Sequence, residues 1–207
     1  MDELLTVYDR QLRPVALRPR EVVHREGLLH QVVFCWILSR IDGEDWLWFQ
    51  QRSFSKKDFP GLYDIAMGGH LDPGETPEEG ALRELREELG ISLTPSQLIR
   101  RGMAFTFRRM GQFRDRQAGV VFLTRLDHPA FAPGEEVARM VRISRRELLA
   151  REAEGRPWLR AVTQEGEELI IPASQWCRHG QQYWRLIEPA VREGVPAADS
   201  GCALCGV

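Results

Sequence analysis

Three glutamates three and four residues apart, Glu84, Glu87 and Glu88, are the side chains of this sequence best suited to do chemistry. On a helical period they share one side, where like charges repel, and no purely structural role calls for that grouping. Hard divalent cations such as Mg²⁺ do call for it, because they take oxygen ligands and bind phosphate oxygens at the same time. The chemistry indicated is therefore metal-assisted reaction at phosphorus. Arg83 stands one turn before Glu87 and can hold it in place, while Gly68, Gly69 and Gly74 in the preceding loop allow backbone groups close to a ligand. The plain alternative for a run of Glu and Arg is an exposed, charge-rich helix.

The flanking residues define the helix that must carry these acids. Thr76 and Glu79 form a capping box, Pro77 falls at the first helical position and Gly90 supplies the stop. A helix over residues 77–89 is predicted, with Leu82, Leu85 and Leu89 on its buried face and the acids nearly opposite.

The whole stretch satisfies G-x5-E-x7-R-E-U-x-E-E-x-G-U, with U a bulky aliphatic, through Gly69, Glu75, Arg83, Glu84, Leu85, Glu87, Glu88, Gly90 and Ile91. With each fixed residue used at roughly 6 to 7%, a chance match is on the order of one in ten million. The pattern resembles the Nudix box. The resemblance implies an α/β/α sandwich with a mixed sheet and a loop-helix-loop catalytic motif. It further implies Mg²⁺ or Mn²⁺ held by Glu84, Glu87 and Glu88 with the Gly69 carbonyl, and Glu75 and Arg83 orienting the helix. The implied activity is hydrolysis of a diphosphate bond in a nucleoside diphosphate derivative or a nucleoside triphosphate.

The chain has 207 residues, which suits one domain over residues 1–193 and a tail over 194–207 expected to be disordered. Basic and acidic residues number 28 and 30, so no polymeric nucleic acid is implied as partner; a small diphosphate is. The N-terminus lacks a basic lead into an apolar segment, and the longest apolar run, Val32 to Leu38, cannot span a membrane. Cys35, Cys177, Cys202 and Cys205 make no disulfide framework, and a cytoplasmic location is expected. The lone pair Cys202 and Cys205 suggests no function.

Around the box, Leu4 to Tyr8 reads as a strand, and the proline-bearing stretch after it as a surface wrap. Val32 to Ile41 reads as a strand buried on both faces, joined through Asp42 and Gly43 to a second strand from Trp46 to Arg52. Strands are also predicted over Gln97 to Arg109 and Gln117 to Leu126, with Arg100, Arg101, Arg108, Arg109, Arg114 and Arg116 scattered among them, and near Leu169 to Ile171. Ser144 caps a further helix. Trp176, Tyr183, Trp184, Ile187 and Val191 recur at helical spacing and read as core, with a homodimer face or a base-stacking platform as alternatives.

Arg52 and Lys56 precede the box and are candidates to grip a diphosphate opposite a metal. Together with His24, His30, QQRSFSKKDFPG and GGHL they give a narrower resemblance, to the Nudix branch of type I isopentenyl diphosphate isomerase. That resemblance implies diphosphate contacts from Arg52 and Lys56 and a metal on His24, His30 and His70; the plain alternatives are a solvated basic loop and packed or hydrogen-bonded histidines. Two departures set the chain apart. Gly68 stands where the isomerase has its catalytic cysteine, and the strand read from Gln117 lacks a pair of glutamates. The favoured reading is a hydrolase on an isomerase-like frame, with an isomerase and a non-catalytic nucleotide sensor as rivals. The turn Pro133 to Val137 resembles one that brings a further glutamate to the metals, making Glu136 a candidate general base, with a plain surface loop the alternative.

Overall fold

The computed structural model describes residues 3–193. In order, the elements are β1 (Leu4–Tyr8), β2 (Pro14–Pro19), α1 (Arg20–Glu26), β3 (Leu29–Ile41), β4 (Glu44–Arg52), β5 (Tyr63–Ile65), β6 (Met67–His70) and α2 (Pro77–Leu89). There follow β7 (Ile99–Met110), β8 (Phe113–Arg125), β9 (Val137–Ser144), α3 (Arg145–Glu154), β10 (Trp158–Thr163), β11 (Glu168–Pro172) and α4 (Gln181–Glu193).

The mixed sheet is organised on β3. One edge of β3 pairs in parallel with β8 from Leu29↔Arg116 to Leu38↔Arg125. Its other edge is shared, by β1 at His30, by β6 at Val32 to Cys35 and by β4 at Ile37 to Ile41. Side chains alternate across the sheet, so Val33, Cys35 and Ile37 pack with Ala81, Leu85 and Leu89 of α2. Trp36 and Leu38 instead pack with Tyr183, Ile187 and Val191 of α4. Helices thus cover both faces, and the α/β/α sandwich follows from a strand apolar on both sides. The β3–β4 hairpin turns at Asp42 and Gly43 with φ of 52° and 79°, a turn whose twist matches its strands.

Several expectations change in detail. The stretch after β1 is not a surface wrap: it forms β2 and α1, with Pro14 and Pro19 at the ends of an edge strand that needs few of its amides. β8 starts at Phe113 rather than Gln117, which brings Asp115 into the sheet. β9 and β10 lay hidden in the sequence because arginines interrupt their apolar residues. Trp176 lies ahead of α4 rather than in it, whereas Tyr183, Ile187 and Val191 do form its buried stripe. Among the described residues no helix is long and apolar enough to cross a membrane. Residues 194–207, with Cys202 and Cys205, lie outside the described part.

Candidate active site

α2 forms as its caps require: the Thr76 side chain accepts from the Glu79 amide, the Glu79 carboxylate accepts in return from the Thr76 amide, and Gly90 closes the helix in the left-handed region. Its acids do not all face away from the core. Glu88 falls on the same side as Ala81 and Leu85 and is only 5% exposed, while Leu82 is half-buried. Glu84, Glu87 and Glu88 nevertheless line one cavity of about 440 Å³, together with Gly69 of β6, Gln50, Arg52 and Lys56.

Arg83 ties the helix to the loop before it. Its guanidinium donates to both oxygens of Glu75 at 2.9 and 2.8 Å, to Glu84 at 2.9 Å, to Glu87 at 3.2 Å and to the His70 carbonyl at 2.9 Å. These fork-like contacts fix the rotamers of two of the three helix acids. Desolvation opposes ionisation of Glu75, but its bonds from Arg83 and the Asp72 amide hold it below its ordinary value. Glu84 packs against Gly69 so closely that a Cβ there would lie 2.2 Å from its carboxyl carbon.

Glu136 enters the same cavity. The turn that presents it satisfies the end of α2: the amides of Ala132 and Gly134 donate to the carbonyls of Leu89 and Glu88 at 2.9 Å each. Any Cβ at Gly134 would meet the Glu87 carbonyl oxygen at 2.6 Å, so only glycine allows this approach. The Glu136 carboxylate pairs with Lys56, and its carbonyl accepts from the Ser53 amide at 2.8 Å. Arg52 donates to the Asp58 carbonyl at 3.2 and 3.0 Å and stands 3.9 Å from Asp64.

The electrostatics of the acidic cluster are those of a site short of positive charge. Burial, then the charges of Glu84 and Glu136, push Glu88 up to about 8, against the pull of Lys56 and a backbone bond from Gly68. Burial likewise raises Glu84. Gln50 Nε2 is 3.3 Å from the Glu88 carboxylate, a contact that adds no charge. An all-oxygen donor set of this kind fits Mg²⁺ or Mn²⁺.

His24, His30 and His70 also meet, with one ligand atom of each within 4.8 Å of the others. Asp115 stands beside them, its Oδ1 3.6 Å from His30 Nε2 and 3.9 Å from His24 Nε2. Both His30 Nε2 and Asp115 Oδ1 are buried without a hydrogen-bond partner. Burial, followed by the neighbouring His70, lowers His24 to about 4 and His30 to about 3, so both imidazoles are neutral and free to donate lone pairs. This set also fits a cation. Reading the strand from Gln117 missed Asp115, and nothing in the sequence pointed to His179 or Asp64, which line the cavity as well.

Residues 28–165 match the NUDIX domain model. An uncharacterised Nudix hydrolase of Pseudomonas aeruginosa is 35% identical over 156 residues, covering 75% of this chain and 86% of that one. An uncharacterised Nudix hydrolase of Clostridium acetobutylicum is 34% identical over 116 residues, covering 56% of each, so the match spans about half of that relative. An isopentenyl-diphosphate delta-isomerase of Serratia proteamaculans is 35% identical over 98 residues, covering 47% of this chain and 53% of that one. Among solved structures, a Deinococcus radiodurans protein aligns with TM-score 0.54 and 28% identity over 74% of this chain and 90% of that one. The chain belongs to the Nudix family.

Proposed function

We propose that this chain is a divalent-metal-dependent hydrolase that cleaves a diphosphate bond in a nucleoside diphosphate derivative or a nucleoside triphosphate. The observation that carries this reading is the convergence of Glu84, Glu87, Glu88 and Glu136 on a cavity that also holds Arg52 and Lys56. Glu84, Glu87 and Glu88, with the Gly69 carbonyl, would hold Mg²⁺ or Mn²⁺. When bound, the metal neutralises phosphate oxygens and lowers the pKa of a water. The remaining work falls to the protein. Arg83 and Glu75 fix the carboxylates, Arg52 and Lys56 steady the phosphate oxygens, and Glu136 is placed to accept a proton from the attacking water once Lys56 turns to substrate.

The histidine cluster supports a second cation on His24, His30 and His70, as the narrower resemblance implies, with Asp115 as its carboxylate. That cluster is also the observation favouring the isomerase as second reading. Against it stand Gly68 at the thiol position and the burial of Cys35 and Cys177, neither of which lines the cavity. Incubation with Mg²⁺ or Mn²⁺ and a panel of nucleoside di- and triphosphates, nucleotide sugars, dinucleotides and isopentenyl diphosphate separates the readings. Metal-dependent cleavage, lost in Glu88→Gln, supports the hydrolase. Conversion of isopentenyl diphosphate to its allylic isomer without cleavage elsewhere would overturn it.

A further inference from the structure

Four cations line the cavity, and three of them have oxygen partners at hand. Arg20 pairs with Asp58 at 2.9 Å, Arg52 donates to the Asp58 carbonyl at 3.0 Å, and Lys56 pairs with Glu136. Arg108 differs: among the described residues it forms no ion pair. Its guanidinium donates to Nδ1 of His179 at 3.4 Å and lies over the Phe59 ring at 5.8 Å. Of the arginines on β7 and β8, it alone lines the cavity.

The support behind Arg108 is built. His179 Nε2 donates to Asp64 Oδ1 at 2.5 Å, and Asp64 accepts from the Ile65 amide at 2.8 Å. A single tautomer, protonated on Nε2, satisfies both ring nitrogens: Nε2 gives its proton to Asp64 and Nδ1 accepts from Arg108. The ring is held edge-on to Phe34 at 6.0 Å and tilted against Tyr183 at 4.9 Å. A guanidinium carries five N–H donors, and the relay uses one of Arg108's.

We propose that Arg108 is a substrate-recognition residue that takes the oxygens of a phosphate group, and that His179 and Asp64 are the dyad that positions it. The class of anion rests on the diphosphate reading above. The relay explains why a half-buried arginine is fixed without a carboxylate: an ion pair would compete with the substrate for its donors, whereas a neutral imidazole orients it and leaves its charge available.

The test is a calorimetric titration of the whole chain with methylenediphosphonate in the presence of Mg²⁺, a probe whose P–C–P bridge is not hydrolysed. Arg108→Ala is expected to weaken binding about tenfold or more with an unchanged melting temperature, and Arg108→Lys to recover it only in part. His179→Ala should weaken it in the same direction. His179→Gln, whose amide can still donate to Asp64 and accept from Arg108, should stay within about threefold of wild type. Binding by Arg108→Ala within about twofold of wild type, or no binding by the wild type, overturns the proposal. Full binding by His179→Ala alone overturns the dyad. A wild type that binds through Arg108 yet hydrolyses nothing would keep this inference and reject the hydrolase.

Discussion

Gly69 and Glu84 are in such close contact that the missing Cβ of the glycine is what gives the glutamate its place: an added methyl would lie 2.2 Å from the Glu84 carboxyl carbon. Gly69→Ala should therefore swing Glu84 off its bond to Arg83 without disturbing the helix caps. A displacement of this size at a metal-binding carboxylate should lower kcat about 100-fold. Kinetics against Mn²⁺ concentration checks this, and kcat within about threefold of wild type would sink it.

Glu88 makes the metal-free protein base-sensitive. Unfolded, it ionises near its ordinary value of 4.5; folded, it keeps its proton to about 8. Between those values the unfolded state has released a proton that the folded state retains, so this contribution to stability falls as pH rises and is fully lost above pH 8. Urea unfolding in EDTA should show a decline of a few kcal/mol across that window, flattened in Glu88→Gln. Added Mg²⁺ or Mn²⁺ should reverse the decline by favouring the ionised form, and binding near neutral pH should release protons.

Arg83 is expected to matter for both stability and turnover. Arg83→Ala leaves Glu75 without its two bonds and Glu84 and Glu87 without a neutralising neighbour, at a cost of about 2 kcal/mol, discounted for partial exposure. Arg83→Lys should not recover turnover, because a single ammonium cannot span Glu75, Glu84 and the His70 carbonyl together. Chemical denaturation and kcat measured side by side would check both parts; full activity in Arg83→Lys would count against the fork.

The histidine cluster predicts the opposite pH dependence on the acid side. His24 and His30 are folded with values lowered to about 4 and 3 from an ordinary 6.5, so the unfolded chain binds protons first. Their contribution to stability is intact above pH 6.5 and lost as pH falls through the folded values. His30→Gln should weaken that dependence below pH 6 and remove one class of Mn²⁺ site in a calorimetric titration, leaving the carboxylate class in place. A titration curve identical to wild type would exclude a histidine-bound cation.

What could be read from the sequence was local. The box helix was legible to its terminal residues because Thr76, Glu79, Pro77 and Gly90 act within a few positions of one another. β3 was legible because burial on both faces leaves Val32 to Leu38 apolar without a break. β9 was not, since Val137, Met140, Val141 and Ile143 alternate irregularly around Arg139 and Arg142, and Arg142 is accommodated by stacking on Trp46 at 4.8 Å and on Trp48 at 5.7 Å. Site residues followed the same division. Glu84 and Glu87 could be placed by helical period, but the burial of Glu88 depends on how α2 meets β3. Asp115 was lost by starting β8 four residues late. His179 reaches Asp64 across 115 positions of chain, and no local signal carries that distance.

The divided edge of β3 fixes where this molecule can tolerate change. One ladder to β8 runs ten residues without interruption while the opposite edge passes from β1 through β6 to β4, so this strand sets the register of four neighbours at once. A single residue inserted between Val33 and Cys35 would turn each side chain on one side of it to the opposite face, mixing both cores and shifting His30 relative to His70. The same insertion at the Asp42–Gly43 turn would lengthen only an exposed loop. A length-variation scan across this hairpin should therefore fall from near-full tolerance at its tip to none within a few residues of its base.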